Sequence, residues 1–321
     1  MRRAKLFAVR APLSPTSRTL IGVLSFVLPL AVWCAVSYVP WIWHPMVLVS
    51  DPGSVAYLKP GMRVDRATFD REVETATKNG APPPQGRPAN PIYLPAPHDV
   101  LAAFYTSFTT KPQTRDGAWL HESLWHSIQI IFWGFLISSL IGVPLGILCG
   151  AYSGASRVTE PFTEFIRYLP APAFGALAVA ILGIYDGPKI AIIVIGTLFQ
   201  QILIIANTTR TLDYPLVEAA LTLGTKRRQM LSRVVIPAVL PALYRDQRIL
   251  LGWAWTYLIV AELIGTSSGI TWFITQQARY QNFPNVYAAI IMIGIIGLGT
   301  DMLLALLGRQ LFAWDRTGKA A

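Results

Sequence analysis

EAALTLGTKRRQM, residues 218–230, decides how this chain is read, because it cannot belong to the apolar fabric around it. It joins a short alanine-rich helical pattern, one glycine and a basic block, and it lies between two long apolar runs, 190–206 and 239–264. A bilayer span needs roughly 20 mostly apolar residues, so this stretch lies in water or against another protein. Asp213 and Pro215 form a helix start. The pattern LVEAALTL then places Leu216, Ala219, Ala220 and Leu223 on one side. Ala219 and Ala220 leave a thin helix that a partner can approach closely, and Gly224 tolerates the left-handed conformation that a helix stop requires. Lys226, Arg227 and Arg228 follow, residues 230–236 resume a helical apolar pattern, and Pro237 and Pro241 mark re-entry into the membrane.

The rest of the chain supports a membrane reading. Of 321 residues, 53% are hydrophobic and only 14% charged, against about a quarter charged in an ordinary soluble domain; the mean hydropathy is +0.45. Further apolar runs cover 20–43, 128–149 and 286–312. A shorter run, 171–185, is flanked by Pro170, Pro172 and Pro188. It is taken as a sixth span lengthened upstream through 162–169, the alternative being a re-entrant or interfacial segment. The expectation is an all-α membrane protein with six transmembrane helices. The first run follows the basic stretch MRRAKLFAVR, but it is too long for a signal-peptide core. Trp33 also stands before Cys34 where a lipoprotein signal needs a small residue, so the run is read as a retained anchor. Cys34 and Cys149 both lie in apolar runs and are read as packing residues.

Charge sets the orientation. With the N-terminus inside, the cytoplasmic pieces carry 17 of the 27 Lys and Arg, and eight of the remaining ten fall in the long segment 44–120. That segment also holds eight acids, counting Glu122 just past its end, and long outside segments weigh little on topology. The net charge of +10 is therefore mainly a topology signal rather than a sign of nucleic acid. The layout is a cytoplasmic tail 1–19, a first transmembrane helix 20–43, an extracytoplasmic segment 44–120 with short helices, a five-helix core 121–313 containing the cytoplasmic loop 207–238, and a cytoplasmic tail 314–321. Within 44–120, a helix is expected over 66–80, extended or polyproline-like chain over 81–91, and a helix beginning in LPAPHDVLAAFYTSF with Asp99 as its cap.

The spacing around the opening stretch carries a resemblance. EAALTLGTKRRQMLSRVVIP resembles the EAA loop of the inner-membrane permease subunits of binding-protein-dependent ABC importers. Glu218, Ala219 and Ala220 match the triplet, Gly224 the glycine, and Val234, Ile236 and Pro237 the terminal I-x-L-P slots, with two conservative departures. LPAPHDVLAAF, GFLISSLIGVPLGILCG and WTYLIVAELIGTSSGITWFI resemble the nitrate, sulfonate and taurine branch, so the likeness runs from 93 to about 314. Residues 44–92 depart from the short linker expected there. The resemblance implies a pore built from two permease copies, with a homodimer as the expectation. It also implies a separate ATPase subunit that binds ATP and magnesium and grips the loop, and a periplasmic substrate-binding protein. No GxxxxGK[ST] loop is present, so no ATP hydrolysis is expected of this chain, and no cofactor. The implied cargo is a small polar solute such as nitrate, a sulfonate or taurine, with urea, guanidine-like and pyrimidine-type solutes as alternatives. An ion-coupled secondary transporter is the rival class, and a membrane anchor a third. The former would show an inverted repeat, and none is visible.

Other residues carry weaker signals. Gly142, Gly146 and Gly150, spaced by four, form a small-residue stripe for helix packing, within the chain in preference to across a dimer. Glu262 and Asp301 are acids in apolar runs and so candidates for the pathway lining or gating. Glu262 is expected near interfacial water, and Thr256 and Tyr257 are also candidates for the path, with Trp253 an interfacial anchor. His44, His98, His121 and His126 are read as solvated or interfacial, with no metal-ligand spacing.

Overall fold

The computed structural model describes residues 14–39, 41–110, 119–264 and 268–315. The chain divides into two compact units, residues 1–106 with 277–288, and residues 107–276 with 289–321.

The first unit opens with α1 (Pro15–Tyr38), whose first turn is capped by Ser14 accepting from the Ser17 amide. Helix α1 starts and stops about five residues before the expected 20–43 run. The Ser14-Pro15 pair is a ready-made start. At the far end Pro40 forces its predecessor out of helix, and Val39 is extended. A three-stranded antiparallel sheet follows, β1 (Met46–Asp51) lying between β2 (Arg63–Asp65) and β3 (Gln85–Ala89), with Val47 opposite both Val64 and Pro88. Helix α2 (Arg66–Lys78) is N-capped by Asp65 and lays Phe69 on a core of Val47, Val49, Leu58 and Val64. The chain is thus overwhelmingly helical, but the segment expected to hold short helices also holds a sheet, and 85–89 pairs as a strand instead of running as free extended chain. Helix α3 (Pro97–Thr109) carries Asp99 inside its first turn instead of at the cap. In this unit Trp33 donates to the Pro95 carbonyl at 3.1 Å and stacks on Tyr287.

The second unit is built on α4 (Leu120–Ala151) and α7 (Asp186–Arg210). Helix α4 has 32 residues, about 48 Å at 1.5 Å per residue, and continues without interruption through Pro144. Between these two lie α5 (Ser153–Arg167), a short turn at Ala171–Phe174 and α6 (Gly175–Leu182), with α5 and the following pair bent by 87°. The expected sixth span is therefore a bent pair and not one continuous helix. Pro170 and Pro172 break it, and α6 alone reaches only about 12 Å, well short of a bilayer's apolar core. Helix α5 is inside out. Ser156 and Glu160 turn inward to the guanidinium of Arg210, while Val158, Phe162 and Phe165 are exposed. After α7 come α8 (Tyr214–Thr222), α9 (Arg227–Gln229), a π-helical turn Met230–Val235, and then α10 (Ile236–Ile264), α11 (Ile270–Arg279) and α12 (Phe283–Leu311).

Among the described residues four helices, α1, α4, α7 and α12, are long and apolar enough to cross a membrane, or five spans if the bent pair is one. Helix α10 is long enough at 29 residues but carries Arg245, Asp246, Arg248 and Glu262. The main core of the second unit joins Ile130, Ile192, Ile193, Ala254, Leu258 and Ile270.

Candidate functional site

The loop between α7 and α10 is built from local chemistry. Asp213 takes the N-cap position of α8 and Pro215 falls in its first turn. At the other end Gly224 has φ +76°. The Thr225 amide donates to the Ala220 carbonyl at 3.1 Å and the Gly224 amide to Leu221 at 2.9 Å, the paired bonds of a Schellman stop. Helix α8 is held by Ala220, which is buried, while Glu218 and Ala219 are exposed. Tyr214, Leu216, Leu221 and Leu223 are exposed too, Leu223 to 86%. So much apolar surface on a nine-residue helix marks a contact surface.

The basic block lies beside it, with Lys226, Arg227, Arg228 and Arg233 all exposed. Of residues 230–236, expected as ordinary helix, Met230–Val235 form a π turn instead, with Val234 half-buried, and Ile236 and Pro237 open α10. Leu231 and Ile236 pack on a cluster of Ile147, Ile205, Val239 and Leu243, which ties the loop to α4, α7 and α10.

Just beyond, one turn of α10 reaches every neighbour. Arg245 pairs with Asp315 at 2.6 Å, Asp246 accepts from Thr208 Oγ1 at 2.5 Å, and Arg248 grips Asp301 through two bonds of 3.0 and 2.8 Å. Gln247 accepts from Gln201 Nε2 at 2.6 Å, and Gln201 in turn bonds Ser138 and Ser139 of α4. This turn was missed as a unit in the sequence, where Arg245 and Arg248 counted only toward the charge balance. Four consecutive polar residues inside a long apolar run were the available signal.

The other sequence candidates are spread out. Thr256 is exposed, on a stripe with Ile249, Gly252, Trp253 and Leu263. Tyr257 instead turns inward, its ring lying where a Cβ on Gly196 would come within 2.9 Å. Asp301 is engaged by Arg248. Glu262 does not reach water: it is 2% exposed and accepts from Ser127 and the Thr271 amide. An acid placed among apolar residues is held by donors from its neighbours, and the sequence does not display those. Gly142, Gly146 and Gly150 all face α7, where Cβ atoms would meet Gln201, Ile205 and Thr209 respectively. Gly134 and Ser138 extend the same four-residue spacing. Two of the histidines read as solvated or interfacial are held by partners within the fold. His44 is buried and lies 3.3 Å from the Ser37 carbonyl, and His126 bonds Asp186 and Ser268. Of the stretch WTYLIVAELIGTSSGITWFI, residues 265–267 lie outside the described residues, as do the N-terminal 1–13, 111–118 and the C-terminal 316–321.

With this geometry in hand, the family pattern described as "Binding-protein-dependent transport system inner membrane component" matches residues 142–312. The chain belongs to that family. It is a multi-pass membrane permease of the ABC transporter class. The permease is 33% identical over 199 residues to a putative aliphatic sulfonates transport permease protein of Bacillus subtilis, covering 61% of this chain and 72% of that one. It is 29% identical over 225 residues to the taurine transport system permease protein of Escherichia coli, covering 70% and 81%. Its fold is similar to that of a chain of the methionine ABC transporter MetNI solved in inward-facing conformations. The TM-score is 0.53 at 18% identity, over 62% of the permease and 97% of that chain.

Proposed function

We propose that the permease imports a small polar solute of the sulfonate or taurine kind, and that α8 is the helix by which a separate ATPase drives it. The single observation that carries this is the exposed apolar surface of α8, closed by the Gly224 stop and flanked by a basic block, within a family named for binding-protein dependence. On this reading α10 is also a span, which with the four apolar helices and the bent pair makes six. The basic excess at the α8 end supports a cytoplasmic position for that end and for the N-terminus. ATP and magnesium are bound by the partner ATPase, and a periplasmic binding protein presents the solute. A second copy of the permease completes the pore against the exposed stripe through Thr256, so Thr256 lines the path while Tyr257, Glu262 and Asp301 support its walls. Relatives named for sulfonate and taurine transport support the substrate class.

The test is uptake of labelled taurine, an alkanesulfonate, nitrate, urea and guanidinium in a deletion strain carrying the wild-type permease or a Leu221→Asp, Leu223→Asp double variant. Uptake of a sulfonate that requires the wild type and fails with the variant is the expected result. Uptake that survives two acids on α8 would remove the coupling role. Dependence of urea or guanidinium alone would move the substrate class.

A further inference from the structure

A second polar cluster lies at the end of α10 remote from the coupling loop, and the proposed cycle uses only Glu262 of it, as a support for the wall of the path. Lys189 of α7 is only 2% exposed. Its ammonium donates to Ser268 Oγ at 2.8 Å and to Asp186 Oδ1 at 3.1 Å. His126 of α4 places Nε2 3.0 Å from both of those partners. One residue along, Ser127 donates to Glu262 Oε1 at 2.5 Å and accepts from the Ile270 amide at 2.8 Å. The second Glu262 oxygen accepts from the Thr271 amide at 2.8 Å. A carboxylate of α10 therefore closes the first turn of α11, and α4 and α7 each contribute two side chains to the same cluster.

The two ends of α10 differ in what it costs to let go. Pulling α10 from this cluster takes a buried carboxylate from its donors Ser127 and Thr271, and pulling α7 away takes a buried ammonium, with Asp186 of the same helix, from Ser268 and His126, both beside the apolar core of Leu124, Ala261, Ile270 and Phe273. Leaving such a charge without its partners is strongly unfavourable. At the other end, Arg248–Asp301 and Arg245–Asp315 each have one partner about half exposed, so new partners can replace the old.

We propose that His126, Ser127, Asp186, Lys189, Glu262 and the first turn of α11 form the fixed end of a lever. They stay together throughout the transport cycle, and displacement arriving through α8 is taken up around Arg245 and Arg248. Glu262 and Lys189 are positioning residues in this arrangement. The inference rests on the reading of α8 as the ATPase-coupling helix.

The test uses the whole complex of permease and copurified ATPase in nanodiscs, with Cys34→Ser and Cys149→Ser. Spin labels go on Trp125→Cys and Leu263→Cys, both exposed near the cluster, and in a second sample on Leu240→Cys and Leu306→Cys. Labelled permease is diluted with unlabelled copies, and distances are read by pulsed electron spin resonance without nucleotide and after trapping with ATP and vanadate. The 125–263 distance is expected to stay the same in both states, and the 240–306 distance to shift by about 2 Å or more, as helices do at switching interfaces. Glu262→Gln removes an acceptor at constant length, and Ser127→Ala is the milder second variant. Each is expected to broaden the 125–263 distribution on trapping while ATP hydrolysis continues, a change that a loss of folded protein alone would not produce. A shift of the 125–263 distance between states in the unmutated complex overturns the lever, as do distributions that stay narrow in both variants. Failure of the unmutated permease to hold an ATPase would instead sink the coupling reading beneath it.

Discussion

Replacing Gly224 by valine tests the coupling loop with the least collateral damage. Gly224 sits at φ +76°, where a β-branched residue is a strong outlier and the left-handed conformation costs about 1–2 kcal/mol. A Cβ there would meet nothing within 4 Å, so the cost is conformational and not steric. If the stop opens, the two amide bonds from Gly224 and Thr225 go with it, each worth about 0.5–1.5 kcal/mol net. A total near 2 kcal/mol corresponds to roughly thirtyfold weaker capture of whatever grips α8. The assay is copurification of the ATPase with tagged permease across Gly224→Asn, Gly224→Ala and Gly224→Val, at matched permease yield. Retention should fall in that order, because asparagine visits the left-handed region more readily than alanine, and alanine more readily than valine. Full retention with valine would refute the claim that the stop shapes the docking helix. Equal loss with asparagine and valine would refute the conformational argument differently, since the partner would then need the bare surface of glycine.

Three further outcomes are expected. Gly146→Val should lower the folded yield and the melting temperature in detergent, because its Cβ would stand 2.7 Å from that of Ile205 and overpacking costs about 1–3 kcal/mol; Gly252→Ala, with nothing within 4 Å, should leave both unchanged. Arg248→Met and Asp301→Leu should each change permease yield little, since Asp301 is about half exposed and water can replace the lost partner; a large loss of yield in either single variant would refute this. Phe69→Ala should open the small sheet unit to limited proteolysis, at about 3–5 kcal/mol for a buried phenylalanine, without altering ATPase capture; loss of capture would mean that the unit is not independent of the coupling loop.

What the sequence displayed and what it hid divide along a physical line. Long helices follow from apolar runs, and α4, α7, α10 and α12 stand where the runs at 128, 190, 239 and 286 begin, extended by a few residues. The limits of α8 follow from Asp213, Pro215 and Gly224, whose effects act within one turn. The sheet was hidden because β3, QGRPA, contains a glycine and a proline that argue against a strand on their own; it pairs because β1, far earlier in the chain, offers it an edge. The bent pair was hidden because apolar composition does not report direction. The settings of Glu262, Lys189 and His126 were the least legible of all, since their partners lie between 3 and 142 residues away.

The long separations within the second unit also set an order of assembly. The sheet closes among residues 46–89 and needs nothing made later, so it can form before the rest of the chain is made. Helix α4 arrives next with Ser138 and Ser139, which wait for Gln201 some sixty residues on. Lys189 enters with α7 but finds Ser268 only after α10 has been made, and Glu262 meets Ser127, made long before it, but finds Thr271 only once α11 begins. A ribosome that stops after α7 releases a chain with a lysine at the membrane and its far partner missing, a mark by which an unfinished permease differs from a finished one.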